Sequence, residues 1–247
     1  MKKSRKITAY FLISLFVVMI VLVPSISAKP SDADYEWIAE CIKSEKHVFE
    51  PNGHAAAMVN GQPILSSEVS RRVVNMEILM KMQLGILKET RSNNFDEVTL
   101  QDLIEKNKLE YEKQGSAENQ LRELIIEELL FQESCKSVSM VDFHEAYRFE
   151  KELFSMMSEK EKAPLEKYAK GLELTSEEYI QKYLVPLRQR KLTINHYLES
   201  LFANIEPFLS VSQIDKALEE LIESLLLRAT IQYNPEGAFR RESNASR

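Results

Sequence analysis

The chain has 247 residues, 44% hydrophobic and 28% charged, a globular composition that excludes a disordered chain. Its formal net charge is −6, and setting aside Lys2, Lys3, Arg5 and Lys6 leaves −10, so the body has no electrostatic reason to bind nucleic acid or anionic lipid. Only 6 glycines occur and no two are adjacent, which argues against glycine-rich phosphate loops.

The first segment is a targeting or anchoring device. The basic stretch MKKSRK precedes residues 7–23, which carry no charge. As a helix that run is about 25 Å long, longer than a usual signal core and short for a full span. Pro24 ends it, and cleavage after Ala28 would place Ile26 three positions back. Residues 1–28 therefore read as an uncleaved membrane anchor, which we favour, or as a cleaved signal peptide. Either reading puts the body outside the cytoplasm, because the basic end stays inside. No cysteine follows the run closely enough for a lipoprotein anchor.

Residues 29–53 read as a linker and a short amphipathic helix, with Tyr35, Ile38, Cys41 and Ile42 at helical spacing over 33–46. Ala55–Val59 is a small strand, Asn60-Gly61 a strong turn dipeptide, and Pro63–Leu65 a second apolar piece. A long helix is expected from Ser67 to Lys88, with Val69, Val73, Met76, Met80, Leu84 and Leu87 on one face. Residues 89–118 are more polar and read as an insertion, with Thr99 capping a helix. The segment 117–137 is the most hydrophobic helix of the body. Its wide face of Leu121, Leu124, Ile125, Leu129 and Leu130, extended by Ile126, Phe131 and Cys135, should meet several neighbours.

A helix restarts at Ser139, with Asp142 at a capping-box position. Thr175 and Glu178 form a full capping box for a helix to 205, which Pro186 should kink or split. Ser210 and Gln213 make another box, and 229–234 is an alternating strand before a frayed tail, 237–247. The chain is thus mainly α, with a small strand near each end of the folded part. A lone strand is marginal in water, so Ala55–Val59 should pair with Ala229–Asn234 and clasp the start of the domain to its end.

These residues carry a family resemblance. Val59-Asn60-Gly61-Gln62-Pro63-Ile64, followed by Ser66, Ser67 and Glu68, resembles the opening strand, turn and capped helix of the SurA and PrsA group of exported foldases. The helix reading Leu121, Leu124-Ile125, Glu128-Leu129-Leu130 and Glu133, then Val138-Ser139 and Asp142, resembles the group's next element. Helix 176–205 is similar to its third core helix, and 210–234 to its closing helix and strand. The resemblance covers most of 54–236, with 89–118 inserted. It implies an N-terminal chaperone domain that holds unfolded or extended polypeptide clients. Members with prolyl isomerase activity carry a further parvulin domain of roughly 90 residues with adjacent glycines, for which this chain has no room. No catalytic residue is therefore carried over.

The residues themselves point the same way. His47, His54, His144 and His196 are scattered without a motif, and His144-Glu145 lacks the second histidine of a zinc helix. No metal or other cofactor and no catalysis are expected. Cys41 and Cys135 read as two small buried hydrophobes, a disulfide being possible but not favoured. Met76, Met80 and Met82 are candidates for an adaptable peptide-binding surface, although Met76 and Met80 also fit a core stripe. Tyr179, Tyr183, Leu187 and Tyr197 are candidates on a second amphipathic surface. The expected function is an extracytoplasmic chaperone-like protein. The alternatives are a dedicated interaction protein with one fixed partner, or an accessory to a separate isomerase. Oligomeric state stays open.

Overall fold

A computed structural model describes residues 35–49, 53–91, 97–203 and 211–234. The expected anchor 1–28, the capping residue Ser210 and the tail 237–247 lie outside the described residues. The chain divides into two compact units: one holds Leu129–Leu227 with the residues up to Ser44, the other Glu45–Glu128 with the chain from Arg228 on.

The second unit contains the sheet. Strand β1, Ala55–Val59, turns through Asn60 and Gly61 into β2, Gln62–Leu65. Both turn residues have positive φ, 51° and 83°, as the tight turn favoured between twisted strands requires. β3, Ile231–Tyr233, lies antiparallel on the other side of β1, giving the order β2-β1-β3. The expected clasp between the start and end of the domain is therefore present. Ala56, Ala57 and Val59 are buried beneath it.

Asn60 fastens the clasp twice. Its N–H donates to the Thr230 carbonyl at 2.9 Å, and its Oδ1 accepts from the Thr230 N–H at 2.9 Å. Asn60→Ala loses the side-chain bond and forces a left-handed backbone on a residue without the polar side chain that lets asparagine tolerate it. We expect a cost of about 2 kcal/mol, read as a lower urea midpoint. Asn60→Gly, which keeps the backbone freedom, should lose roughly half as much; equal losses would show that the left-handed backbone costs alanine nothing here.

Helix α2, Ser66–Arg91, follows β2 directly, then come α3, Glu97–Gln114, and α4, Ala117–Ser137. Thr99 lies inside α3 rather than capping it, because the helix already starts at Glu97. Along α2 the buried positions among the described side chains are Val69, Val74 and Ile78, so the expected Val69 is buried but Val73 and Met76 are only half-buried; the side chains of Leu84 and Leu87 lie outside the described residues.

In the first unit, α1, Glu36–Ser44, packs on α6, Glu159–Gly171. Ile38, Ala39 and Ile42 are buried, so this short helix is core and not merely part of a linker. The Glu36 carboxylate accepts from Lys167 at 2.7 Å and Lys170 at 3.1 Å, and these bonds hold it below the usual carboxylate range. Apolar spacing does not reveal α6, since Pro164 and many charges obscure its pattern. Its signal is Ser158 with Glu161, whose carboxylate accepts from the Ser158 N–H at 2.6 Å.

Helix α5 is Phe143–Met156, capped by Asp142 itself, whose Oδ1 accepts from the Glu145 N–H at 3.0 Å. Ser139 is therefore not the start. Val141 and Ala146, before the cap and in the next turn, are both buried as a hydrophobic staple requires. The Thr175–Glu178 box is present in both directions, at 3.2 and 2.8 Å, and opens α7, Ser176–Tyr179.

The helical run does not end at Pro186. A π turn over Ile180–Leu184 runs straight into α8, Val185–Phe202, with the Val185 N–H donating to the Ile180 carbonyl. Proline lacks an N–H and crowds the carbonyl four residues back; widening the preceding turn displaces that carbonyl while the helix continues. Helix α9, Val211–Arg228, leads to β3.

The buried face of α4 changes along its length. In its first half Gln120, Leu121, Leu124 and Ile125 are buried; in its second half Leu129, Leu130 and Ser134 are. At 3.6 residues per turn, Leu121 and Leu130 point to opposite sides. The wide apolar face is thus two narrower ones, one in each half of the helix.

Candidate functional site

The candidate methionines lie on α2. Met76, Met80 and Met82 are all half-buried. A Cβ built on Gly115, in the turn between α3 and α4, would stand 3.3 Å from the Met76 Cβ. Met76 is therefore packed against that turn, while Met80 and Met82 keep part of their surface in solvent.

The candidate tyrosines lie in the other unit. Tyr179 packs between Tyr168 of α6 and Tyr183, with ring centroids 5.3 and 5.6 Å apart. Tyr179 and Tyr197 are buried, whereas Tyr183 and Leu187 are half-buried. Tyr179 and Tyr197 are thus corrected from surface candidates to core. They fill the contact of their helices with the rest of the unit, which the spacing of apolar residues alone does not reveal. The cysteines also need correction. No disulfide joins them; Cys41 is half-buried and Cys135 exposed. It is Ser134, fully buried with its Oγ donating to the Phe131 carbonyl at 2.8 Å, that faces inward there.

The open apolar surface of this unit starts elsewhere. Met140 and Phe143 are 57% and 42% exposed, and Met156 at the far end of α5 is 68% exposed. Phe143 stacks nearly parallel on Tyr147 at 6.1 Å, with His144 edge-on to it at 6.0 Å. Phe143, Tyr147 and Phe154 follow one edge of α5 at helical spacing, beside the buried Ala146 and Glu150. Lys151 sits over the Tyr147 ring at 5.4 Å, and Lys162 over Phe154 at 5.7 Å. The result is an aromatic edge bordered by two cations, each paired with a carboxylate, Lys151 with Glu177 and Lys162 with Glu159. Its signal in the sequence is Met140 and Phe143 flanking the Asp142 cap, where a solvent-facing helix end would ordinarily be polar.

Behind this edge Glu177 of α7 ties the elements together. It accepts from the Tyr147 hydroxyl, from Lys151 at 3.1 Å and from Gln181 at 3.0 Å. The Tyr147 hydrogen bond, with lesser help from Lys151, lowers the Glu177 pKa; the Lys151 pKa is raised chiefly by Tyr147 and then by Glu177. These bonds hold Tyr147 and Lys151 of α5 against Glu177 of α7.

Helix α9 offers a second partly open surface. Ile214, Leu218, Leu221 and Ile222 are half-buried at helical spacing, only Leu225 of that stripe is buried, and Leu227 is 87% exposed.

Among the described residues, no group of three or more His, Cys, Asp or Glu could hold a metal ion, and no helix is long and apolar enough to cross a membrane. Comparison with family models, with curated proteins and with solved structures finds no match.

Proposed function

We propose that this is an extracytoplasmic, membrane-tethered polypeptide-binding protein of the SurA and PrsA chaperone type, acting without isomerase chemistry. The observation that carries the reading is the open aromatic edge of α5, where Phe143 stacks on Tyr147 with exposed Met140 three residues before it. Such a surface binds apolar segments by burial rather than by a fixed pattern of polar contacts. Covering roughly 300–400 Å² of client apolar surface yields about 7–10 kcal/mol gross. Association entropy removes much of it, leaving micromolar, fast-exchanging binding. A surplus of acidic side chains keeps the protein itself from associating through the same surface.

The test is suppression of aggregation of two unrelated unfolded proteins at near-stoichiometric ratios. Suppression of both is expected. The double variant Met140→Ser/Phe143→Ser should lose most of it with an unchanged melting curve, because both side chains are open. A folded protein that protects neither would sink the general chaperone and favour a single fixed partner.

A further inference from the structure

The three-stranded sheet has two outer edges, and they are not equivalent. In an antiparallel pair, residues alternate between those that exchange hydrogen bonds with the partner and those whose backbone groups point away from it. The Asn60 N–H donates to the Thr230 carbonyl, and the Asn234 N–H donates to the Ala56 carbonyl. Gln232 stands opposite Met58, midway between those two bonded pairs, so its backbone also faces β1. Ile231 and Tyr233, opposite Val59 and Ala57, must then direct their N–H and C=O groups outward.

On the other edge the alternation places Pro63 differently. It stands opposite Met58, the residue whose backbone is already turned towards β3, so the missing proline N–H falls on the outer side of β2. A proline there blunts that edge. The β3 edge carries no such residue, and among the described residues no fourth strand covers it. Tyr233, 65% exposed, stands beside it.

We infer that the outer edge of β3 takes up an extended segment of a non-native polypeptide as a fourth strand, through the backbone N–H and C=O groups of Ile231 and Tyr233. The alternating positive N–H and negative C=O ends form a charge pattern that another extended backbone matches, whatever its side chains. This rests on the polypeptide-binding reading and names the conformation recognised. Only two residues offer outward groups, so the added strand is held by few bonds and exchanges quickly. Tyr233 adds an exposed ring beside these backbone groups, and backbone recognition suits clients without a common sequence.

The experiment uses the full chain and a fluorescein-labelled peptide of alternating valine and threonine with terminal lysines. A second peptide has the same side chains but N-methyl groups on alternate residues, which removes the donors of one edge. The N-methylated peptide should bind about tenfold more weakly, as expected for losing one or two hydrogen bonds. Tyr233→Pro should weaken the unmodified peptide by about tenfold as well, with melting unchanged, because that N–H makes no bond to β1. Gln232→Pro should instead lower the melting point, since its N–H faces β1.

Equal binding of the two peptides to the wild type overturns the inference, and that comparison needs no variant to fold. A wild-type dimer that Tyr233→Pro converts to monomer also overturns it, since a second copy would then hold the edge. If the peptides bind equally while aggregation is still suppressed, the edge fails and the chaperone reading stands. If the wild type prefers the unmodified peptide but suppresses no aggregation, the edge stands and the chaperone reading fails.

Discussion

Arg188→Met is expected to destabilise the Leu129–Leu227 unit by about 3–5 kcal/mol, the usual cost of leaving one half of a buried ion pair alone. Arg188 of α8 donates through Nε to the Glu150 carboxylate of α5, and the two side chains are only 8% and 10% exposed. The guanidinium also lies 4.8 Å from the centre of the Phe149 ring, so methionine replaces its packing but not its charge. Glu150 would then face an apolar interior with no partner. At roughly 2–4 °C per kcal/mol for a chain of this size, the melting transition of the unit should fall by about 10 °C.

The double variant Glu150→Leu/Arg188→Met removes both charges and should recover most of that loss, because the pair had to be desolvated to form. Calorimetry of the three proteins decides it. A loss below about 1 kcal/mol for Arg188→Met would mean that water reaches Glu150 and that the pair is not buried in solution.

Gly171→Ala should destabilise the same unit, although glycine to alanine within a helix ordinarily gains about 1 kcal/mol. Gly171 is the last residue of α6, and its φ is not in the left-handed region. Its requirement is space. A Cβ there would stand 2.7 Å from the Ala39 carbonyl oxygen and 2.7 Å from the Ile42 Cβ of α1. Neither atom is the end of a flexible side chain, so α1 itself must move. The movement would disturb the buried Ile38 and Ile42 and pull Glu36 from Lys167 and Lys170. Overpacking of this kind costs roughly 1–3 kcal/mol. Thermal unfolding of the variant is the measurement, and a raised midpoint would show that α1 is not held against α6.

Interactions within a few residues are legible in the amino-acid order alone. Asn60-Gly61 specifies its turn because both backbones must take positive φ, and Thr175 with Glu178 closes a capping box within one turn. The clasp of β1 with β3 is legible at long range for a different reason: β2 covers only one edge of β1, and a short terminal strand needs a partner to satisfy its backbone. Pro186 shows the limit of local reasoning. The missing N–H is certain, but whether the helix breaks or widens depends on the burial of Ile180, Leu184 and Val185, which holds the chain in one continuous helix.

The candidate site is less legible, and the physical reason is the same throughout. Periodicity shows which residues of a helix share a side, not which side meets a neighbour. Tyr179 and Tyr197 have the spacing of surface anchors and are core; Met140 and Phe143 stand out in no periodic pattern and are open. Cys135 continues an apolar stripe, yet it is exposed, since by that point α4 has turned its buried face to the Leu129 side of the chain. By itself the sequence determined the helical class, the caps at Asp142 and Thr175, the Asn-Gly turn and the need to pair the two terminal strands, all consequences of backbone hydrogen bonding that short segments must satisfy. Only the tertiary structure decided which faces are buried, that α4 buries different sides in its two halves, and which strand edge stays open, because those depend on segments far apart in sequence competing for the same apolar surface.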